Sequence, residues 1–361
     1  MNSAEPALRS DLRELRKKWT LDVGERGGSA DPPHGSRLLS ERADRVFEHM
    51  FEQVGAVTEA LHEQAAVLAL TKATPAEWHK TAVATADVGS ALAIIERRAN
   101  SAHPVHRELI QKLADRVEPG DLERAAELVT RLAREGVSLI TVLDKDYPAN
   151  LHEIYNRPPF LWVRGSLAAS DHRAIAIVGT RQASEAGRQE AARLAQALAR
   201  ENVTVLSGLA LGIDEAAHSS ALEAGGRTVA VLGHGILTPL YPAANRGLSE
   251  QIVDNGALIS QFWPDAPPTR KSFPMRNVVT SGMSVGTVVV EASATSGAKM
   301  QARLALEHGK RVFLPESLVL RQEWARRYAD RPGATVVRRV EDILDVLVRL
   351  AQPADQLALS F

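Results

Sequence analysis

The stretch 174–217 constrains the fold more than any other part of the chain because it repeats the order strand, glycine turn, helix. The apolar run Ala174–Val178 ends at Gly179, and a helix opens after Ser184. A glycine lets a ligand approach the backbone, and the N–H groups at a helix N-terminus favour an anion. Arg181 adds a planar donor fork suited to phosphate. The first turn is therefore a candidate anion site.

The second unit of the repeat follows directly. The run Val203–Ser207 reaches Gly208 and Gly212, and another helix begins near Ile213. Because the carboxyl ends of parallel strands meet at one edge of a sheet, both turns are expected at the same edge, where doubly wound sheets bind ligands. The sequence thus predicts a Rossmann-like phosphate site.

Composition narrows the class of protein. The chain has 361 residues, 45% of them hydrophobic, which is enough for a packed core with a second domain. It has no cysteine, so disulfides, thiolate metal sites and cysteine nucleophiles are excluded. The net charge of −1 means that any nucleic-acid binding must come from a local basic patch. No run of 18 apolar residues and no signal pattern occur, so we expect a cytoplasmic protein without a membrane span.

The chain divides into four segments. Residues 1–36 are rich in Gly, Pro and Ser and are predicted to be a disordered tail. Residues 37–136 have helical periodicity and form a predicted helical N-terminal domain without evident chemistry. Residues 137–350 form a predicted Rossmann-like domain, and residues 351–361 a flexible C-terminal peptide. The helices predicted in the second segment include Val88–Arg98, Pro104–Val117 and Leu122–Arg134.

Apolar β-branched runs alternate with amphipathic helical patterns through the third segment. This alternation predicts the α/β class, with a doubly wound, mostly parallel sheet. The predicted strands are Val137–Val142, Phe160–Val163, Ala174–Val178, Val203–Leu206, Thr228–Leu232, Leu258–Phe262, Thr287–Glu291, Arg311–Leu314 and Thr335–Val337. The predicted helices are Glu185–Arg200, Asp214–Glu223, Ala244–Asn255, Lys299–His308 and Val340–Leu350.

A series of motifs in this segment resembles a known family. The motifs VGTR, SGLALGID, GGRTVAVLGHG, YPAANR, FPMRN, VVVEA and SGA occur in the order found in the DprA/Smf family of DNA-processing proteins. The resemblance implies a cytoplasmic, homodimeric protein that binds single-stranded DNA and loads the recombinase RecA in natural transformation. It implies neither enzymatic turnover nor a cofactor.

The resemblance also carries the family's DNA-binding positions onto the matching motifs. Arginine and lysine there would neutralise phosphates, and Phe273 offers one stacking face. The alternatives are ordinary strand-to-helix turns at the glycines and a solvated loop over Arg270–Arg276. The candidate DNA- and phosphate-binding residues are Gly179, Thr180, Arg181, Ser207, Gly208, Lys271, Phe273, Arg276, Asn277, Ser296, Gly297 and Lys299.

Departures from the family pattern motivate other functions. Leu211 and Val278 stand where the family usually has arginine, and Lys299 and Gln301 replace a leucine and a threonine. Fewer cations weaken phosphate binding, so the alternative is a Rossmann-like nucleotide-binding sensor that holds a small phosphorylated ligand. A phosphoribohydrolase-like enzyme is a third hypothesis, which the absence of its Pro-Gly-Gly pattern disfavours.

Three further residues have simple structural interpretations. Asp214 falls at a helix start, where N-capping would account for it. His218 is interpreted as a hydrogen-bonded, partly buried histidine rather than a catalytic one. Tyr241 precedes a proline and is interpreted as part of a turn.

The C-terminal residues resemble the short peptide with which bacterial replication and repair proteins dock on the sliding clamp. Its glutamine, two leucines and phenylalanine would supply apolar anchors for a groove. A chance match is the alternative, because six-residue motifs recur often. The residues concerned are Gln356, Leu357, Leu359 and Phe361.

Overall fold

A computed structural model describes residues 57–75, 77–99 and 104–351. Its described residues form two compact units that interleave along the chain. One comprises the residues up to Thr74 together with Ser90–Arg131, and the other comprises Pro75–Gly89 and the residues from Leu132 onward. The boundary predicted from the sequence, between residues 136 and 137, lies five residues after the division between Arg131 and Leu132. The predicted tail lies outside the described residues, as does the predicted C-terminal peptide after its first residue, Ala351.

The helices are numbered in chain order. They are α1 (57–72), α2 (Trp78–Val88), α3 (Ala91–Ile95), α4 (Pro104–Arg116), α5 (Asp121–Arg134), α6 (Ala149–His152), α7 (Glu185–Arg200), α8 (Ile213–Glu223), α9 (Arg246–Asn255), α10 (Ser272–Met283), α11 (Gly297–Glu307), α12 (Glu316–Arg321), α13 (Glu323–Ala329) and α14 (Glu341–Ala351). None of the helices in the described ranges is long and apolar enough to cross a membrane.

The predicted helix Val88–Arg98 was wrong. Gly89 adopts a φ of 75° and ends α2, and Ser90 then caps the short helix α3. The Glu63 carboxylate of α1 accepts hydrogen bonds from the Ser90 hydroxyl at 2.5 Å and the Ala91 N–H at 2.7 Å. A glycine in the left-handed region and a serine N-cap outweigh the continuous helical periodicity.

The second unit contains one nine-stranded sheet. In the order β1-β2-β6-β5-β4-β3-β7-β8-β9, the outer pairs β1–β2 and β2–β6 are antiparallel and the other pairs are parallel. This confirms the predicted doubly wound, mostly parallel sheet. The strands are β1 (Val137–Thr141), β2 (Phe160–Gly165), β3 (Ala174–Val178), β4 (Thr204–Ser207), β5 (Thr228–Val231), β6 (Ala257–Ser260), β7 (Gly286–Val289), β8 (Arg311–Pro315) and β9 (Ala334–Val337).

The central strand β3 is buried on both faces. Ile175 and Ile177 pack into a cluster with α7, α8 and α14, whereas Ala174 and Ala176 pack with α6 and α10 on the opposite face. Alternate side chains of a strand point to opposite faces, so a continuous apolar run marks a strand covered on both sides. Strands β4, β5 and β6 follow one another on one side of β3, and β7, β8 and β9 follow on the other side. Doubly wound sheets bind ligands in the crevice at the carboxyl ends of the two strands where this order reverses, here β3 and β7.

Helix α10 was not predicted from the sequence. Thr269 and Ser272 each accept a hydrogen bond from the other's backbone N–H, at 2.9 and 3.0 Å, which starts the helix. The helix is then held by burial of Val279 and Met283 against the sheet. Its β-branched and glycine residues have low helix propensity, so tertiary packing determines its conformation.

His218 is buried between α8 and the sheet. Its Nδ1 donates to the Thr228 hydroxyl at 2.7 Å, because that hydroxyl already donates to the Val205 carbonyl at 2.7 Å. Burial, with a smaller effect of the Arg276 charge, lowers the pKa of His218 to about 3. The imidazole is therefore a neutral part of the core, and more deeply buried than the sequence indicated.

A buried ion pair anchors the opposite, amino-terminal edge of the sheet. The Asp171 carboxylate accepts both Nε at 2.7 Å and Nη2 at 2.8 Å of Arg227. It also accepts the Thr204 hydroxyl at 3.0 Å and the Ala168 N–H at 2.9 Å. The pair thus joins the segment before β3 to the starts of β4 and β5.

We expect Asp171→Ala to lower the free energy of unfolding by about 3–5 kcal/mol, because it leaves a largely buried arginine without its counter-charge. The control is Glu316→Ala, which breaks the exposed pair with Arg338 and should cost about 1 kcal/mol or less. Urea unfolding measures both variants. Equal losses in the two variants would contradict a stabilising role for the buried pair.

We expect the stabilising effect of His218 to disappear in acid. Its pKa is depressed in the folded state, so the unfolded chain binds a proton first, and the stability present above pH 6.5 is lost as the pH falls toward 3. The difference in unfolding free energy between wild type and His218→Gln should shrink by about 2 kcal/mol from pH 7 to pH 5. A difference that stays constant between these pH values in urea titrations would show that His218 is not kept neutral by the fold.

Candidate functional site

Two glycines at the carboxyl edge of the sheet make room for side chains of α10. A Cβ at Gly208, after β4, would overlap the Arg276 guanidinium. A Cβ at Gly233, after β5, would lie 2.6 Å from Cδ1 of Phe273. The first turn of α10 therefore lies directly over the ends of two neighbouring strands.

Gly179 has a similar packing role after β3. A Cβ there would overlap the Ile213 side chain at the start of α8. The two interpretations from the sequence were close approach of a ligand to the backbone and an ordinary strand-to-helix turn. In the folded protein, helix packing fills the space.

Arg276 is half-buried and donates hydrogen bonds to two acceptors. Its Nη1 donates to the Val231 carbonyl at 2.7 Å, and its Nε donates to the Asn277 side-chain oxygen at 3.2 Å. Burial lowers its pKa, the nearby Asp214 carboxylate opposes that shift, and the charge of Arg181 adds to it. Arginine remains protonated under such shifts, so a fixed positive charge lies at this edge.

Asp214 stabilises the second glycine turn. It is 5% exposed and accepts the N–H groups of Gly208 at 3.1 Å and Ala210 at 3.4 Å. Burial raises its pKa, and Arg276 and the two N–H groups oppose that rise. Asp214 is the second residue of α8, and Gly212 is the N-cap. The carboxylate thus binds the turn before the helix rather than capping the helix.

Glu291 binds the first glycine turn, after β3, as Asp214 binds the second. Its Oε2 accepts the Ser184 N–H at 3.0 Å and the Ser184 hydroxyl at 2.9 Å, at the N-terminus of α7. The Thr180 N–H donates to the Glu291 carbonyl at 2.7 Å. A carboxylate of the protein therefore already lies where the sequence placed a phosphate.

These two carboxylates change the chemistry expected of the site. The Gly208 N–H and the Ser184 N–H are both bonded to internal acceptors, so neither is presented to a ligand. The arginine and lysine side chains at the same edge take no part in these two bonds, so their positive charge remains for an anion. Anion binding here consequently depends on arginine and lysine more than on backbone amides.

Arg181 lies against two aromatic rings. Its Cζ is 4.8 Å from the centroid of the Phe273 ring and 5.9 Å from that of Tyr241. A guanidinium over a ring face is attracted by the ring quadrupole. Arg181 itself is exposed, and its charge acts on Arg276. Two guanidinium groups, those of Arg181 and Arg276, thus lie at the same edge of the sheet.

Sequence reasoning missed Tyr241, which was interpreted as part of a turn. The ring is 49% exposed and lies 6.1 Å from the Phe273 ring, centroid to centroid. The only signal in the sequence was an aromatic residue in a loop after a central strand. That signal is weak without the spatial position of α10.

Lys271 lies at the N-terminus of α10, next to Arg270 in the turn between Thr269 and Ser272. The Ser272 hydroxyl donates to the Gly233 carbonyl at 2.6 Å and fixes this turn at the sheet edge. Both cations are exposed. The predicted cluster is therefore a helix N-terminus, and the alternative of a solvated loop over Arg270–Arg276 holds only for its first residues.

The predicted residues after β7 have mainly local contacts. Ser296 is the N-cap of α11 and accepts the Ala298 N–H at 3.1 Å. Lys299 donates to the carbonyl of Ala294 at 3.1 Å. Gly297 faces open space. Within the described ranges, no hydrogen bond or ion pair joins these residues to Arg181 or Arg276.

The remaining candidates are scaffold residues. The Ser207 hydroxyl is buried and donates to the Ile177 carbonyl at 2.6 Å, and the Thr180 hydroxyl accepts the Gln182 N–H at 3.2 Å. The side-chain amide of the buried Gln301 donates a hydrogen bond to the Asn277 carbonyl and accepts one from the Ser281 N–H. Gln356, Leu357, Leu359 and Phe361 lie outside the described residues.

A cavity of about 330 Å³ lies away from these groups. Its lining includes Leu167 and Asp171 before β3 and Met283 before β7, so it opens at the amino-terminal edge. The Asp171 carboxylate is satisfied by Arg227 and Thr204. Convergent cations mark the carboxyl edge as the candidate site.

Comparison with known proteins agrees with the fold and the motifs. Residues 138–348 match the model of the family described as DNA recombination-mediator protein A. DNA processing protein DprA of Streptococcus pneumoniae is 36% identical over 205 residues, which cover 56% of this chain and 72% of that protein.

Two solved structures are similar in architecture. DprA from S. pneumoniae superposes with a TM-score of 0.59 at 27% identity, over 77% of this chain and 95% of that one. DNA processing protein A from Helicobacter pylori superposes with a TM-score of 0.53 at 24% identity, over 60% of this chain and 97% of that one, and shows the common fold. The family match covers more than half of the chain, and the chain therefore belongs to the DNA recombination-mediator protein A (DprA/Smf) family.

Proposed function

We propose that this protein binds single-stranded DNA at the carboxyl edge of its sheet, without catalysing a reaction. The observation that carries the proposal is that Arg181, over the Phe273 ring, and Arg276, over Gly208, lie at the same edge of the sheet. Cations gathered at one edge attract phosphates, and a base can stack on the ring.

The charged groups have different roles in this proposal. Arg181 and Lys271 are exposed and would contact phosphates directly. Arg276 is half-buried and would add a fixed positive charge behind them. Phosphate contacts carry no base information, so sequence specificity should be slight.

The comparisons support this choice of ligand. The H. pylori structure was described for its single-stranded DNA binding mode. The family description, recombination mediator, also fits a role in handing DNA to a recombinase. We extend the proposal to loading of RecA in natural transformation by a cytoplasmic homodimer. The C-terminal peptide is proposed as a ligand of the sliding clamp. Both parts rest on the sequence resemblance.

A nucleotide-binding sensor is the second candidate. Leu211 is 41% exposed and Val278 is half-buried, and neither supplies the cation that the family pattern has at its position. A site with fewer cations suits a small phosphorylated ligand that needs fewer contacts than a strand. Tight nucleotide binding without DNA binding at low salt would favour this candidate.

The first test is fluorescence anisotropy with labelled oligo-dT, titrated across salt concentrations. Arg181→Ala and Lys271→Ala should each weaken binding and reduce the slope of log affinity against log salt by about 0.7, because each removes one phosphate contact. Arg200→Ala is the matched control, since Arg200 is exposed at the far end of α7. Unchanged slopes in both site variants would reject the assignment of the phosphate contacts.

The second test uses the space at Gly208. Gly208→Ala should weaken oligo-dT binding about tenfold or more, because its Cβ would displace the Arg276 guanidinium that supplies the fixed charge. The control is Gly247→Ala, at a helical glycine whose surroundings are open. Circular dichroism of both variants separates loss of binding from loss of folding. Full affinity in folded Gly208→Ala would mean that Arg276 does not contribute.

A further inference from the structure

Tyr241 and Phe273 form a two-ring surface at the proposed DNA site. Their centroids are 6.1 Å apart and their planes make an angle of 52°, so the rings are tilted neighbours rather than a closed stack. Tyr241 is 49% exposed and Phe273 is half-buried. Exposed aromatic rings beside cations are the features with which proteins hold the bases of single strands.

A hydrogen bond to the buried His234 fixes the backbone of Tyr241. The Tyr241 N–H donates to Nε2 of His234 at 3.4 Å, and Nδ1 of the same ring donates to the Gly235 carbonyl at 2.9 Å. His234 is 1% exposed, and burial lowers its pKa, which keeps the ring neutral and Nε2 able to accept. The tyrosine is thus held at a set position at the end of its loop, and its ring is left exposed.

The Arg181 guanidinium covers this surface in the free protein. It lies over both rings, at 4.8 Å from the Phe273 centroid and 5.9 Å from the Tyr241 centroid. Guanidinium–ring attraction at an exposed site is weak, and base–ring stacking is at least as strong. A nucleobase can therefore replace the guanidinium, which is then free to meet the phosphate of the same nucleotide.

We propose that Tyr241 and Phe273 are a nucleobase platform that Arg181 covers in the free protein and leaves when single-stranded DNA binds. This inference rests on the proposed function and adds to it a base-dependent contact, a second aromatic residue and a rearrangement of Arg181. The ligand class is a single strand with unpaired bases, because a paired base does not present its face for stacking on a ring.

With this platform, the affinity for single-stranded DNA has two contributions that can be measured separately. Arg181 and Lys271 would contribute the part that depends on salt, and the two rings would contribute a part that depends on the bases. An oligonucleotide whose central nucleotides lack bases keeps its phosphates and loses the second part. Comparison of such a strand with oligo-dT of the same length isolates the rings.

The test compares Tyr241→Leu with wild type on both strands. We expect a loss of roughly tenfold on oligo-dT, an unchanged salt slope, and little change on the abasic strand. Tyr241→Phe should keep wild-type affinity. Tyr155→Leu is the matched control, because Tyr155 is 61% exposed and packs on His308 near the opposite edge of the sheet. Equal losses on both strands, or no loss on oligo-dT, would overturn the proposal.

A double-mutant cycle distinguishes stacking from simple positioning of Arg181. If the Tyr241 ring contacts a base, Tyr241→Leu weakens oligo-dT binding in the Arg181→Ala background as well as in wild type. If Tyr241 only holds Arg181, its effect vanishes in that background and the platform is rejected. Photo-crosslinking of 5-iodouracil strands, followed by mass spectrometry, should attach a nucleotide to Tyr241.

The outcomes also separate this inference from the proposed function. Salt-sensitive binding of oligo-dT by wild type that is insensitive to Tyr241→Leu would overturn the platform and leave the phosphate site intact. Absence of oligo-dT binding by wild type at low salt would overturn both.

Discussion

The Arg276 guanidinium lies over Gly208 and donates to the Val231 carbonyl, and this contact joins α10 to the ends of two central strands. A half-buried cation is costly unless acceptors and a counter-charge surround it. Here the Asn277 side chain accepts from Nε, and the Asp214 carboxylate lies nearby. The arrangement requires a glycine, because any side chain would occupy the place of the guanidinium.

Internal carboxylates satisfy both glycine turns of the sheet edge. Asp214 binds the turn after β4, and Glu291 binds the N-terminus of α7 after β3. Such positions often hold a phosphate of a ligand. In this protein, carboxylates of the chain itself bind these turns. The cations that remain are side chains, and side chains can follow a flexible strand.

Exposed side chains and preorganised amides differ in the ligand they suit. Amides in a rigid turn fit one phosphate in one geometry, whereas arginine and lysine on neighbouring elements can contact phosphates at several spacings. Arg181 adds a second property, since it packs on aromatic rings when no anion is present. A strand with bases and phosphates can engage both the rings and the cations, which a small anion cannot.

Local signals were enough for most of the sheet. The helix Glu185–Arg200 and the strand Ala174–Val178 have the predicted bounds, because a serine N-cap and an unbroken apolar run mark their limits within a few residues. Helix α10 was missed, because its residues favour other conformations and only burial of Val279 and Met283 makes it helical. The break at Gly89 was missed because helical periodicity continues across it.

The sequence by itself determined the doubly wound sheet, its family and the edge at which cations gather, since apolar period, glycine turns and motif order are all local properties of the chain. Only the tertiary structure decided which groups meet there. Ile213 and Arg276 fill the space beside Gly179 and Gly208, and Tyr241 joins Phe273 although 32 positions separate them in sequence. The first contact depends on the packing of α8 and the others on that of α10 over the ends of β4 and β5, which no short window of sequence encodes.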